Sequence, residues 1–141
     1  MYLILSISSI LILIFLVRKK KLSFNKKFNP DLIGNDIEKY LNMSESKITG
    51  ILPWTKKRII WNNPKLKSKS KIAIIYIHGF SASLGEIRPV PDILAENCNA
   101  NLFFTRLSGH GINDFRPLKD VDGMDWYLDV QEAFEIGKKI G

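Results

Sequence analysis

Two histidines, each beside glycine, are the residues whose type and setting most suggest chemistry. His78 stands in His78-Gly79-Phe80 and His110 in Gly109-His110-Gly111. Each motif follows an apolar, strand-like run, residues 72–77 and 101–106. Open α/β sheets gather their ligands at the carboxyl ends of strands, so both motifs fall where a site is expected. A metal held by His78 and His110 would need further ligands, and none stands out. Ser81 and Ser83 have no base nearby and no elbow sequence, so neither reads as a nucleophile. Ser108 is not the serine of a Gly-x-Ser-x-Gly elbow, because Arg106 occupies the first glycine position. Cys98 has no histidine placed to activate it and reads as a small buried hydrophobe. Residues 78–83 are not Gly-x-Gly-x-x-Gly and no Walker lysine follows, which argues against a nucleotide site and any bound cofactor. Glu86 and Arg88 lie just beyond the His-Gly turn, either pairing with each other on the surface or lining the site's entrance.

The elements that must position these motifs are readable from pattern. Residues 72–77, Ile-Ala-Ile-Ile-Tyr-Ile, predict a strand buried on both faces, as in a parallel sheet. Residues 101–106 predict a second strand, with a helix between the two. Pro91 suits that helix's first position, Asp92 its positive end, and Ile93, Leu94 and Cys98 its sheet-facing side. Residues 72–106 thus form one strand–helix–strand unit. Earlier, residues 47–61 read as two strands around Pro53-Trp54-Thr55, with Ile48, Ile51 and Leu52 in the first and Ile59, Ile60 and Trp61 in the second. Residues 62–71 read as a solvated cationic loop. Asp36 suits the cap of a short helix whose Ile37, Tyr40 and Leu41 share a face. Residues 112–121 read as a loop. Asp122 to Asp125 then resembles a capping box, opening a helix with an apolar stripe through Trp126, Val130, Ala133, Gly137 and Ile140, widened by Tyr127 and Phe134. Lys138, Lys139 and Gly141 suit its end.

The 141 residues allow one domain of ordinary size, and 45% hydrophobic content is enough for a core. Charge is uneven. Residues 1–71 carry 15 basic against 4 acidic side chains, and residues 72–141 carry 6 against 10, so the net +7 belongs to the front half. The single cysteine excludes an intrachain disulfide. Residues 1–17 are apolar apart from three serines and precede Arg18-Lys19-Lys20-Lys21. A cleaved signal would have its basic cluster before the apolar run, so an uncleaved transmembrane or signal-anchor helix is expected. The positive-inside rule places the cluster, and the rest of the chain, in the cytoplasm. Lys26 and Lys27 extend the basic patch toward lipid headgroups or merely flank the anchor. Nucleic acid is not an expected partner, because no aromatic stacking platform accompanies the lysines. The expected organisation is an anchor at 1–17, a basic tether and short helix at 18–46, and an α/β domain at 47–141.

Across residues 48–141, the order and spacing of HGFSAS after a strand, LAENCNANLFFTRLSGHGI, and DWYLDVQEAFEIGKKIG resemble the amino-terminal half of an α/β-hydrolase. The nearest branch is the lysophospholipase and monoacylglycerol-lipase-like serine hydrolases. The resemblance implies an α/β sheet with flanking helices and acyl transfer from an ester through a serine intermediate. It implies that the backbone N–H of Phe80, set by His78 and Gly79, helps form the oxyanion hole. It implies that Gly109, His110 and Gly111 support the loop, and that His78 is not the base. The family's serine, acid and histidine base all come later in the chain order than anything matched here. The implied partners are the membrane bilayer, an acyl-ester substrate and a complementing carboxyl-terminal hydrolase fragment. The rival expectation is a non-enzymatic membrane-anchored interaction protein that keeps half the fold. Because the strand at 72–77 would lack one neighbour, the isolated chain is expected to be poorly soluble or to need a partner.

Overall fold

The computed structural model describes residues 26–114 and 117–141. The expected anchor at residues 1–17 and its basic flank at 18–21 lie outside the described residues. Among the described residues, no helix is long and apolar enough to cross a membrane.

The described residues form a mixed α/β fold around a small sheet of three strands, β1 (Arg58–Ile60), β2 (Ala73–Tyr76) and β3 (Asn101–Phe104), in the order β1-β3-β2. β3 runs parallel to β2, with Ala73 opposite Asn101 and Tyr76 opposite Phe104. It runs antiparallel to β1, with Arg58 opposite Phe104. Four α-helices accompany it among the described residues: α1 (Ile37–Ser46), α2 (Val90–Asn97), α3 (Pro117–Asp120) and α4 (Gly123–Ile140).

Alternation along the strands sorts side chains into two cores. Phe103 of β3 and Ala73 and Ile75 of β2 join Ala133, Ile136 and Ile140 of α4, with Ile33 and Leu41 from the segment around α1. Leu102 and Phe104 of β3 and Ile74 and Tyr76 of β2 join Leu84, Ala95 and Ala100 on the α2 side. β3 is therefore covered on both faces and fully buried. A large apolar side chain so enclosed contributes about 1.5–3 kcal/mol. β2 is only half-buried and lies at the sheet edge, so the expectation of a strand buried on both faces is corrected: that strand is β3. Ile72 and Ile77 are exposed and flank β2 outside the ladder, because β3 offers only four partners.

Two further expectations are corrected. Residues 48–52 form no strand; Ile51 makes one bridge to Ile112, and Pro53–Thr55 turns as a 3-10 helix. A short run with a single bridge cannot propagate a ladder across Pro53, which lacks an N–H. In α2, Ile93, Leu94 and Cys98 are exposed, while Pro91 and Ala95 face the sheet. The helix starts at Val90, and its buried side falls at 91 and 95, one turn apart. Caps follow sequence more faithfully. The Asp36 side chain accepts from Lys39 N, and Asp122 and Asp125 make a reciprocal capping box that opens α4.

Candidate functional site

The carboxyl end of β2 runs into His78, Gly79, Phe80 and Ser81. Three consecutive N–H groups there have different fates. Gly79 N–H donates to Glu86 Oε2 at 3.1 Å, and Ser81 N–H donates to His110 Nε2 at 3.2 Å. Between them, the Phe80 N–H has no acceptor among the described residues, and Phe80 itself is 68% exposed. Ser81 occupies the left-handed region, φ 61°, an uncommon conformation for a residue with a side chain. Glu86 also accepts from the Tyr76 hydroxyl at 2.9 Å. The Gly79 N–H and then that hydroxyl hold the Glu86 carboxyl below the usual range. Burial, followed by the Glu86 bond, pushes the Tyr76 phenol up to about 12. A side chain at position 79 would press on Glu86 Oε1 at 3.3 Å, so glycine is what lets the carboxylate approach the backbone.

The structure brings the two histidine motifs together. Their rings lie 5.1 Å apart, and both are buried. His78 Nε2 accepts from Leu107 N–H at 3.1 Å, so its Nδ1 carries the proton toward Gly79 O at 2.9 Å. His110 Nε2 accepts from Ser81 N–H, so its Nδ1 donates toward Ser108 O at 3.1 Å. Each ring thus spends its one lone pair on a backbone N–H, tying the turn after β2 to the loop after β3. In this arrangement neither has a lone pair left for a metal or for general-base work. Burial, partly opposed by the Gly79 bond, lowers the His78 pKa below its ordinary value. No group of three or more potential metal ligands occurs among the described residues.

Behind the turn lies support that the sequence reading missed. Trp126 of α4 sits 5.9 Å from both the Phe80 and His110 rings, and its indole N–H donates to Ser108 O at 3.1 Å. Asp129 Oδ2 accepts from Ser108 N–H at 2.6 Å. Burial pushes the Asp129 carboxyl up, against the pull of Lys57 and the Ser108 bond. Lys57 pairs with Glu132, which also accepts from the Tyr40 hydroxyl at 2.6 Å. Arg106 grips Glu45 of α1 through Nε at 3.1 Å and Nη2 at 2.8 Å, and its Nη1 donates to His110 O at 3.0 Å. The signals were present. Lys57, Ile59 and Trp61 alternate onto one face, and Asp129 and Glu132 share the buried side of α4 with Ala133 and Ile136. Of the expected stripe, Ala133, Gly137 and Ile140 are buried and Trp126 is half-buried, while Val130 and the flanking Tyr127 and Phe134 are exposed.

Other candidates separate from the site. Arg88 pairs with Asp92 and covers the Phe104 ring, and it does not pair with Glu86. Cys98 is exposed at the opposite end of the sheet, beside Lys71 and Asn99, where it is neither buried nor near a histidine. Ser83 Oγ accepts from Gly85 N–H. Beside the Phe80 turn opens a groove of about 680 Å³, walled by Leu52, Trp54, Phe80, Ser81 and Ile112. No family model, curated protein or solved structure matches this chain.

Proposed function

We propose that the chain supplies the oxyanion side of an esterase- or lipase-type α/β-hydrolase site, anchored to a membrane through residues 1–17. The observation that carries this reading is the Phe80 N–H, which has no acceptor among the described residues at a strand's carboxyl end while its neighbours on both sides are held by Glu86 and His110. A fixed donor with no partner of its own can stabilise the negative charge that develops on an ester carbonyl oxygen, and removing such a donor typically costs about 10²–10³ in rate. The groove walled by Leu52, Trp54 and Ile112 suits the apolar part of an acyl ester. Both histidines here serve the loops, so the serine, acid and base of the mechanism belong to further strands. The open edge of β2 is the place for the first of them, whether from the same polypeptide or a complementing fragment. Tyr127, Val130 and Phe134 on α4 and Ile93 and Leu94 on α2 are exposed apolar residues of the two helices that flank the sheet.

The same open edge favours a second reading, a membrane-anchored protein that binds an extended segment of a partner by strand addition and performs no chemistry. Two measurements decide. The codons after Gly141 are read in all three frames for a Gly-x-Ser-x-Gly stretch within about ten codons. A fluorophosphonate probe is then applied to the chain alone and to the chain co-expressed with that stretch. Labelling only of the co-expressed assembly supports the hydrolase. Absence of the stretch in every frame and in the neighbouring genes removes the catalytic reading.

A further inference from the structure

At the amino ends of β2 and β3, opposite the candidate site, residues 62–71 (Asn-Asn-Pro-Lys-Leu-Lys-Ser-Lys-Ser-Lys) cross the floor of the sheet. They form a solvated loop, as expected, but one pinned by hydrogen bonds. Asn101, fully buried, accepts from Asn62 N–H at 2.9 Å and donates to Ser68 O at 2.9 Å and to Ile140 O at 2.7 Å. Ser70 N–H donates to Ile140 O, and Ser70 Oγ accepts from Asn101 N–H. Both ends of the arm are therefore pinned to β3 and to the last turn of α4. Between the pins, the Asn63 side chain accepts from Lys65 N–H and Leu66 N–H, each at 3.1 Å, and fixes a turn that holds Leu66 outward. Leu66 is 72% exposed, the highest value among the large hydrophobic side chains of the described residues.

The arm's charge has one sign. Lys65, Lys67, Lys69 and Lys71 are all exposed, and no carboxylate occurs between Glu45 and Glu86. Lys69 Nζ reaches Lys138 O at 2.7 Å, and Lys139 Nζ reaches Gly34 O at 3.0 Å, so the lysines at the end of α4 join the same face. The carboxylates facing it are Asp36, which caps α1, Glu38, which pairs with Lys67, and Glu135, which pairs with Lys138. Six lysines against three carboxylates leave the face with an excess of three positive charges, and Lys65, Lys69, Lys71 and Lys139 hold no ion pair among the described residues.

We propose that this face, with Leu66 as its apolar tip and Lys65, Lys69, Lys71 and Lys139 around it, docks on an anionic phospholipid surface. Lysines ringing an exposed aliphatic side chain match a headgroup layer, where the charges meet anionic lipid and the leucine enters the acyl boundary. Nucleic acid fits less well. The arm contains no aromatic side chain on which a base would stack, and the nearest, Trp61, donates its indole N–H to Glu38. The apolar run at residues 1–17 points to the same partner. Residues 18–25 separate it from the described chain and reach at most about 28 Å, short enough to keep a pinned basic face near the bilayer. Docking would turn the carboxyl ends of the strands, and the Phe80 turn, away from the lipid. The proposal does not depend on the hydrolase reading.

Cys98 provides the test, because it is the single cysteine, is exposed, and shares a groove with Asn62, Ser68 and Lys71. The full chain, labelled there with a fluorophore, is reconstituted into vesicles of phosphatidylcholine alone or with about 30% phosphatidylserine, each with a headgroup spin-labelled lipid as quencher. Quenching is expected to rise about threefold with phosphatidylserine and to return to the neutral-lipid level near 0.5 M salt. Lys65→Glu with Lys71→Glu should abolish the rise, since neither side chain holds an ion pair among the described residues. Leu66→Ser should reduce it. The salt titration needs no variant, so the result does not hinge on whether a variant folds. Equal quenching with and without phosphatidylserine, or a rise untouched by the double charge reversal, overturns the proposal. So does arm-dependent binding to a polyuridine strand with no response to lipid.

Discussion

Replacing Arg106 by methionine should unfold much of the site's support, and the expected size follows from what is left behind. Arg106 and Glu45 are 2% and 4% exposed, so neither charge has access to bulk water. The Glu45 carboxylate receives three donors, Arg106 Nε, Arg106 Nη2 and Lys57 N–H. Arg106→Met removes two charge-assisted bonds to the carboxylate, worth about 1.5–3 kcal/mol each, together with the Nη1 bond to His110 O, and leaves the carboxylate on one backbone N–H. Breaking a buried pair from one side costs about 3–5 kcal/mol. The double variant Arg106→Met with Glu45→Leu removes both charges. It orphans only His110 O and Lys57 N–H, at about 1 kcal/mol each. The double variant should therefore be about 2 kcal/mol less stable than the parent, yet more stable than Arg106→Met alone. Urea unfolding in mild detergent, followed by tryptophan fluorescence, reads both quantities. With a slope of about 1–3 kcal/mol per molar urea, the single variant's midpoint should fall by roughly 2 M. A single variant that unfolds with the parent, or a double variant less stable than either single one, would refute the reasoning.

Two further outcomes are expected. The folded-state pKa of His78 lies below its ordinary 6.5, so the unfolded chain binds that proton more readily. Its contribution to stability is complete above about pH 6.5 and is lost as pH falls below that value toward the folded pKa. His78→Gln should flatten this limb in unfolding curves taken at pH 7 and 5.5, and the difference between the two proteins cancels the opposite contribution of Asp129. Gly111 has φ 66°, and a Cβ there would lie 2.5 Å from Thr55 Oγ1. Gly111→Ala should combine a left-handed backbone penalty of about 1–2 kcal/mol with that clash, lowering the unfolding midpoint and loosening the Leu52 N–H to Gly111 O bond in hydrogen exchange.

Helix starts were legible because capping is local. Asp36 and the pair Asp122 and Asp125 each meet donors within three residues. The two glycine-flanked histidines were legible as strand-end turns, and the paired lone-pair use that joins them was not, because His78 Nε2 meets Leu107 N–H across 29 positions. The phase of α2 was misread because its apolar residues lie on more than one side, and only the sheet decides which side is covered. Glu45 and Arg106 carry no local mark of burial, and Lys57, Asp129 and Glu132 carry only strand alternation and helical phase, which name no partner. Their partners come from α1, the approach to β1, the loop after β3 and α4.

By itself, then, the sequence determined where α1, α2 and α4 form, where charge concentrates and which residue types stand at the strand ends, whereas residues 112–121, expected as a loop, hold the short helix α3. Those properties rest on backbone chemistry and on neighbours within a turn or two. Tertiary structure alone decided that β3 is the strand covered on both faces, and that, among the described residues, one N–H without an acceptor lies between two held ones. It also decided that a lysine-rich loop is a pinned arm. Each of these depends on hydrogen bonds closed across tens of residues, and a burial pattern cannot specify such partners before the chain has folded.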